Sequence, residues 1–520
     1  MAPIGENSSS REFEGFPLAR VGWWIAVTLL LLAGLTRARG AWYSYGLDGY
    51  ADEPEVIDPA LRAAKGDFRP ERFLYPGWTS YTIGATYKVL DVVGFGGEAG
   101  FLPEEPSADH FVVGRLVVFA TGLLSALVAA LVGRRLFGPW AGVAACALLL
   151  ASPEFVSMGY IVQVNTPASL WTALAILFSA NVYRLGRRPR DYVLAGICAG
   201  LAVGCKYNSY PAAFSLLVAH LAAPRDSRGW RHPWFVLGAA LVPLTFLLTT
   251  PYALIDFERF LESIRFLNQV YQDQHWPLHT STSGGSWLNY LERIWKAGWP
   301  YELSVAALLG TLAWCGKDWR RPLLVLGAAA LNLGFLGFYK VYFLRHLLPV
   351  FPPLAVMSGA AVQWAIDRVD PSRARRVATG AVAALFVLGL GFRSFVDTQE
   401  KLEGKTKVDS RQAAKVWIEE HVPKGARIAC EERSPKLEGY ELVAARSIAA
   451  PEDRTAEIEA KADWVVVTLM SERLIERDPA WAGAREVYER FAARHELAAE
   501  FLGRGVDYAG RDIRIFRIVR

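Results

Sequence analysis

Apolar residues in this chain come in blocks of roughly 15–25, separated by short arginine-rich loops, and blocks of that length cross a bilayer as single helices. Few folds remain open. Inside hydrocarbon every backbone N–H and C=O must be satisfied within its own segment, so each block reads as an α-helix. The proportions agree: 52% of residues are hydrophobic and 21% charged, with a mean hydropathy of +0.20, where soluble domains carry about 25% charge. Arg11 and Arg20 precede the first block, Val21 to Leu35, and Arg37 and Arg39 follow it without a small-residue cleavage site. It reads as a retained signal anchor rather than a cleaved leader.

About eleven spanning helices are predicted, over 19–38, 112–133, 139–153, 166–184, 191–205, 209–223, 233–251, 301–315, 322–339, 347–365 and 377–394. The arginine clusters at 134–135, 184–190, 225–231, 320–321 and 368–376 then all fall on one side, which the positive-inside rule makes cytoplasmic. Two long polar loops, 40–110 and 252–300, and the tail fall on the other side. The stretch from Ser152 to Asn181 is alternatively re-entrant, which would change the count. The expected domains are 1–395, a transmembrane domain, and 396–520, a soluble extracytoplasmic α/β domain. In the tail, 426–429, 462–468 and 514–519 read as strands, and 412–421 and 482–495 as amphipathic helices.

The net charge of +5 is explained by the cytoplasmic loops and does not point to nucleic acid. The five cysteines have no metal-ligand spacing. His275 and His279 stand four apart, but Pro277 between them breaks any helix that would align them. The Trp residues of the second loop suit either sugar stacking or an interfacial belt.

The candidate chemistry lies in the first loop. Asp52-Glu53 is followed by Pro54 to Ala64, an amphipathic helix with Val56, Ile57, Leu61 and Ala64 on one face. Such a helix can lie on a membrane surface and hold the acids near headgroups, where a carboxylate can take a proton from an attacking hydroxyl. An ordinary acidic surface loop is the competing reading. Gly66-Asp-Phe-Arg-Pro and Phe73-Leu-Tyr-Pro follow.

Asp-Glu after the first helix, then Gly-Asp-Phe and Tyr-Pro, resembles the GT-C superfamily of membrane glycosyltransferases. The branch it looks most like is the family-39 group, which includes protein O-mannosyltransferases and aminoarabinose transferases. Gly200-Leu-Ala-Val-Gly-Cys-Lys-Tyr-Asn, Leu344-Arg-His-Leu-Leu-Pro-Val-Phe-Pro and Asp409-Ser-Arg-Gln-Ala-Ala-Lys-Val-Trp-Ile are similar to further stretches of that group, in the same order. The resemblance implies an α-helical polytopic membrane protein of GT-C type with a small C-terminal extracytoplasmic α/β domain. It implies a hexosyl- or pentosyltransferase that uses a polyprenyl-phosphate-linked sugar and an extracytoplasmic glycan, lipid or protein acceptor. The expected location is a bacterial inner membrane, with the N-terminus cytoplasmic and the tail periplasmic or extracellular.

On this resemblance Asp52 is the catalytic base or a ligand for a divalent cation (Mg or Mn), Glu53 its partner or orienter, and Asp48 the alternative acid. Many relatives carry an Asp-x-Pro acid before the fourth helix. Here Asn165-Thr-Pro167 stands instead, and an amide cannot ionise. Asn165 is read either as a substrate ligand or as a helix N-cap. Lys206, beside Tyr207 at a helix end, either meets a lipid phosphate or snorkels to the interface. Arg345 is expected to bind phosphate at a helix start that itself favours an anion, with His346 as pocket wall and Arg115 a weaker candidate. A transporter or flippase of a lipid-linked solute is the alternative. It calls for ionisable residues at mid-helix, and the predicted helices keep theirs mostly at the ends. A non-catalytic scaffold presenting the tail is a third reading.

Overall fold

The computed structural model describes residues 17–43, 52–97, 100–223, 232–273, 279–281, 285–299, 301–368, 389, 392–393, 395–444, 447–449, 453–470, 481–503 and 507–520. The chain divides into two compact units. One holds the helical region up to Thr398, and the other holds Gln399–Arg520 with two short upstream segments.

The helical unit is built on Pro17–Arg37, Ala108–Leu136, Pro139–Ala151, Asn165–Leu185, Pro189–Cys205, Pro233–Thr249, Tyr301–Asp318, Arg320–Gly337 and Phe351–Asp367. Among the described residues, Trp23–Trp42, Ala108–Leu136 and Leu344–Asp367 are long and apolar enough to cross a membrane, and Pro139–Ala151 and Pro233–Thr249 are shorter apolar helices. The Asn165–Leu185 helix is continuous over 21 residues. The segment before it holds the short helix Pro153–Met158. The sixth predicted helix is instead a 3-10 stretch, Tyr207–Ala213, running into Phe214–Ala222; Pro211 withholds a backbone donor there. The predicted helix over 377–394 lies almost wholly outside the described residues.

Small residues let these helices approach closely. A side chain at Gly196 would collide with the backbone of Gly238, where the Pro189–Cys205 and Pro233–Thr249 helices cross. Leu148, Leu149, Leu303, Leu324, Leu347 and Phe351 are among the buried side chains at the centre of the unit.

The first polar loop is more ordered than its composition suggests. It contains the expected Pro54–Ala64 helix and a second, Trp78–Val92. Val56, Ile57, Ala60, Leu61 and Ala64 are buried, and the two helices meet where a Cβ on Gly84 would strike the Ala60 carbonyl. The second loop contributes Tyr252–Ile255, Phe257–Asp273 and Trp287–Arg293. Phe257–Asp273 buries no residue.

The second unit is a five-stranded sheet: β1 Arg427–Cys430, β2 Glu441–Ala444, β3 Trp464–Val467, β4 Glu496–Phe501 and β5 Ile513–Arg517, in the order β2-β1-β3-β5-β4. β1 runs parallel to β2 and β3, and β5 runs antiparallel to β3 and β4. Ser410–His421, Thr455–Lys461 and Ala484–Arg494 are its helices. On β3, Val465 and Val467 enter one apolar cluster and Val466 the other, the period of two that puts alternate side chains on opposite faces. The three strands and two helices read from the sequence are all present. β2, β4 and Thr455–Lys461 were not predicted.

Beyond β1, Glu431 is buried and accepts from the backbone N–H groups of Ile448 (2.9 Å), Thr468 (2.8 Å) and Leu469 (3.0 Å) and from the Tyr488 hydroxyl (2.6 Å). Burial pushes its carboxyl above the usual range, and the four donors pull it back.

Candidate active site

Asp52 and Glu53 are neighbours in sequence with different surroundings. Glu53 caps the Pro54–Ala64 helix, whose first position is proline with its φ already helical. The apolar face of that helix turns inward, and Glu53 turns with it until it is fully buried. Its carboxylate accepts two hydrogen bonds from Arg115, from Nε at 2.9 Å and Nη2 at 2.7 Å, and a third from the Val162 backbone N–H at 2.9 Å. Arg115 is 1% exposed and also donates to the Ala41 carbonyl at 3.2 Å. Two charges without water are tolerated only in such geometry, with the remaining donors and acceptors also paired. The pair ties four chain segments together at the base of the loop, and its geometry suits an orienter rather than a proton acceptor. Arg115 therefore has a structural partner in place of a substrate-facing role.

Asp52 remains half-buried and forms an ion pair with Arg345 at 3.1 Å. Arg345 lies 4.1 Å from the centroid of the Phe343 ring, a cation–π contact that fixes its plane. The charges of Arg345 and Asp52 both act on Lys206. Lys206 ends the Pro189–Cys205 helix, and its ammonium donates to the Asn165 side-chain oxygen. The Asn165 amide donates in turn to Gln163, and Gln163 to the Met158 carbonyl at 3.3 Å. Asn165 and Gln163 are both 3% exposed. The chain of amides aims the Lys206 side chain. Burial and then the Arg345 charge work against its ammonium, and Asp52 supports it.

Two tyrosines that sequence reasoning did not assign to the site complete it. Tyr75, in the Tyr-Pro turn, has its phenol raised by burial and then by the nearby charge of Asp52. Tyr271, on the Phe257–Asp273 helix, is pushed up to about 12 by burial, with Arg345 pulling it down. Tyr75 sits in a motif singled out for other reasons; nothing local marks Tyr271. His346 is buried, its ring nitrogens 3.4 Å from the hydroxyls of Tyr271 and Tyr290.

Some expectations need correction. Asn165 is not an N-cap: the cap position is Val164, with no side-chain cap bond, and the Asn165 side chain is spent on Lys206 and Gln163. Lys206 is held by that amide rather than snorkelling outward. Arg345 lies in the 3-10 first turn, Leu344–Val350, of a helical span that becomes α-helical at Phe351. Tyr207 turns toward the Phe73 carbonyl, to which its hydroxyl donates at 3.3 Å, and braces the first loop. Asp48 and His275 lie outside the described residues.

The described residues around Asp52 do not fit a divalent cation. A hard cation wants several oxygen ligands, mainly carboxylates. Here Asp52 faces an arginine, Glu53 is engaged by Arg115, and position 165 offers an amide already bonded to an ammonium. Among the described residues no three His, Cys, Asp or Glu side chains cluster.

The helix order is that of a polytopic membrane protein of GT-C fold. Residues 107–252 match the family model for dolichyl-phosphate-mannose-protein mannosyltransferase. Among solved structures, ArnT from Cupriavidus metallidurans in the apo state is similar over 96% of this chain and 98% of its own, at 16% identity and a TM-score of 0.53. The same protein bound to undecaprenyl phosphate matches with a TM-score of 0.52 over 95% and 98% at 16% identity. The Archaeoglobus fulgidus oligosaccharyltransferase in the apo form matches over 95% of this chain and 76% of its own, at 13% identity and a TM-score of 0.51. No curated protein matches the chain. The GT-C fold expected from the motifs is borne out.

Proposed function

We propose that this protein is a membrane glycosyltransferase that moves one sugar from a polyprenyl phosphate to an acceptor hydroxyl. The observation that carries the reading is the convergence of one partly accessible carboxylate, Asp52, with two cations, Arg345 and Lys206. Support comes from the undecaprenyl phosphate bound to ArnT, whose fold this chain shares, and from the mannosyltransferase family model over 107–252.

Asp52 takes the proton of the acceptor hydroxyl as its oxygen attacks the anomeric carbon. The bond from that carbon to the phosphate oxygen breaks, and its electron pair leaves with the polyprenyl phosphate. The attack comes from the face opposite the leaving group, so the configuration inverts. Arg345 presents a planar fork of donors to the phosphate, and Lys206 a compact charge beside it. Their positive charge favours the additional charge that develops on the phosphate during transfer. Phosphate is a good enough leaving group to need no general acid. Glu53 and Arg115 hold the loop that carries Asp52.

The loops and the tail face away from the cytoplasm in this reading, in a bacterial inner membrane with the N-terminus inside. The test is Asp52→Asn in membranes supplied with a polyprenyl-phosphate sugar. Transfer at the wild-type rate by a folded variant overturns the assignment of the base.

A further inference from the structure

The motifs Gly66-Asp-Phe-Arg-Pro and Phe73-Leu-Tyr-Pro, of which only Tyr75 borders the Asp52 site, both line one cavity of about 320 Å³. Its opposite wall is the polar face of the Pro54–Ala64 helix, where Glu55, Asp58 and Arg62 recur at helical spacing behind the buried apolar face. Its floor includes Tyr81, near the start of the Trp78–Val92 helix. The walls are braced: Arg62 pairs with Glu71 at 2.6 Å, the Tyr81 hydroxyl donates to the Phe68 carbonyl at 2.9 Å, and the two rings meet edge-on at 5.2 Å.

Two features relate this cavity to Asp52. Pro54 lines it two residues beyond the catalytic acid, and Tyr75 belongs both to its wall and to the set of groups on which Asp52 and Arg345 act. Its size lies at the low end of the roughly 300–1,000 Å³ typical of small-molecule sites. Its lining alternates carboxylates and guanidinium groups with aromatic rings. That suits a ligand with many hydroxyls and a flat C–H face. An acyl chain would need a continuous aliphatic wall, and a peptide added as a strand would need an unpaired strand edge; the lining supplies neither.

We propose that this cavity is the acceptor subsite and that the acceptor is a carbohydrate of one or two rings, presented with one hydroxyl toward Asp52. The proposal rests on the glycosyltransferase reading and names the acceptor class for it. Glu55 and Asp58 accept hydrogen bonds from ring hydroxyls, and Phe68 and Tyr81 present ring faces or edges to the sugar. Neither acid takes part in proton transfer.

The experiment uses the full-length protein in nanodiscs with methyl glycosides of hexoses and N-acetylhexosamines as probes. Saturation-transfer NMR reads their binding, and transfer from a polyprenyl-phosphate sugar is measured both to glycoside and to water. Glu55→Gln and Asp58→Asn, both at exposed positions, are expected to weaken the glycoside signal and raise the acceptor KM about tenfold while leaving donor cleavage by water unchanged. Ser80→Phe, which would fill the cavity, is expected to abolish the glycoside signal wherever thermal melting shows it folded. An unchanged acceptor KM in both polar variants overturns the subsite, as does a peptide that competes where glycosides do not bind. Lost glycoside binding in the variants, with no donor cleavage even by the wild type, leaves the subsite standing and overturns the transferase reading.

Discussion

Replacing Glu53 with glutamine tests whether adjacent acids divide structural and chemical work. The carboxylate is fully buried and receives three hydrogen bonds, two of them from an arginine that is itself 1% exposed. Removing one partner of such a pair leaves the other charge without compensation, at a cost of about 3–5 kcal/mol. Glutamine keeps one acceptor oxygen, which still serves Arg115 or Val162, so the lower end of that range is expected. Against a typical folding stability of about 5–15 kcal/mol, that is a large fraction. The Glu53→Gln protein should therefore melt well below the wild type in detergent or nanodiscs, read by tryptophan fluorescence or by size-exclusion recovery after heating. Below its melting temperature the folded fraction should keep near-normal turnover per molecule. The double variant Glu53→Met with Arg115→Met should recover part of the loss, because an apolar pair of similar volume removes both buried charges. A Glu53→Gln protein that melts like the wild type and yet loses turnover a hundredfold would refute the structural assignment and place Glu53 in the chemistry.

Asp52→Asn should show the opposite pattern: a melting temperature close to wild type, since a partly exposed ion pair contributes about 1 kcal/mol or less, and transfer reduced by roughly 10²–10⁴, as loss of a general base implies; a melt lowered as far as in Glu53→Gln would contradict it. Arg345→Lys keeps the charge and loses the fork of donors, so inhibition by free polyprenyl phosphate should weaken about tenfold; equal inhibition would remove Arg345 from the phosphate site. Asn165→Asp adds a carboxylate beside Lys206 and makes the site more negative, which should raise the donor KM by roughly tenfold at unchanged acceptor KM; a lower donor KM would show that Lys206 needs a charged partner. In the second unit, Glu431→Gln strips a buried carboxylate that four donors address and should cost about 2–4 kcal/mol, seen as faster protease cleavage of the tail in the intact protein. Unchanged cleavage would count against that network.

Much of the helical unit was legible because its signal is a single property summed over long windows. A block of apolar residues between arginine clusters reports a helix whatever it packs against, and the predicted spans from 112–133 to 347–365 fall within a few residues of those observed, with 3-10 turns replacing the ends that proline interrupts. The Pro54–Ala64 helix was legible for the same reason, since its apolar spacing matches the turn of a helix. The Trp78–Val92 helix was not. Its sequence is mixed in polarity, with only Ile83, Tyr87 and Leu90 in the apolar cluster on its packed face, beside the close approach at Gly84. The strands β2 and β4 are short and partly exposed, with little local pattern to find.

The sequence by itself determined that the chain is a membrane protein of many helices with a polar loop carrying two acids, because hydrophobic length and the motif order are properties of the chain alone. It also put Asp52, Lys206 and Arg345 forward as separate candidates. Only the tertiary structure decided that Asp52 meets Arg345, that Lys206 is aimed by the neutral amide of Asn165, and that Glu53 is committed to Arg115. These are contacts between residues 41 to 293 positions apart, which no local pattern encodes; which of two adjacent carboxylates turns inward is a different matter. The amphipathic helix that begins at Pro54 decides it: its apolar face turns toward the core and takes Glu53 with it, and Asp52, one residue earlier, is left partly accessible beside Arg345.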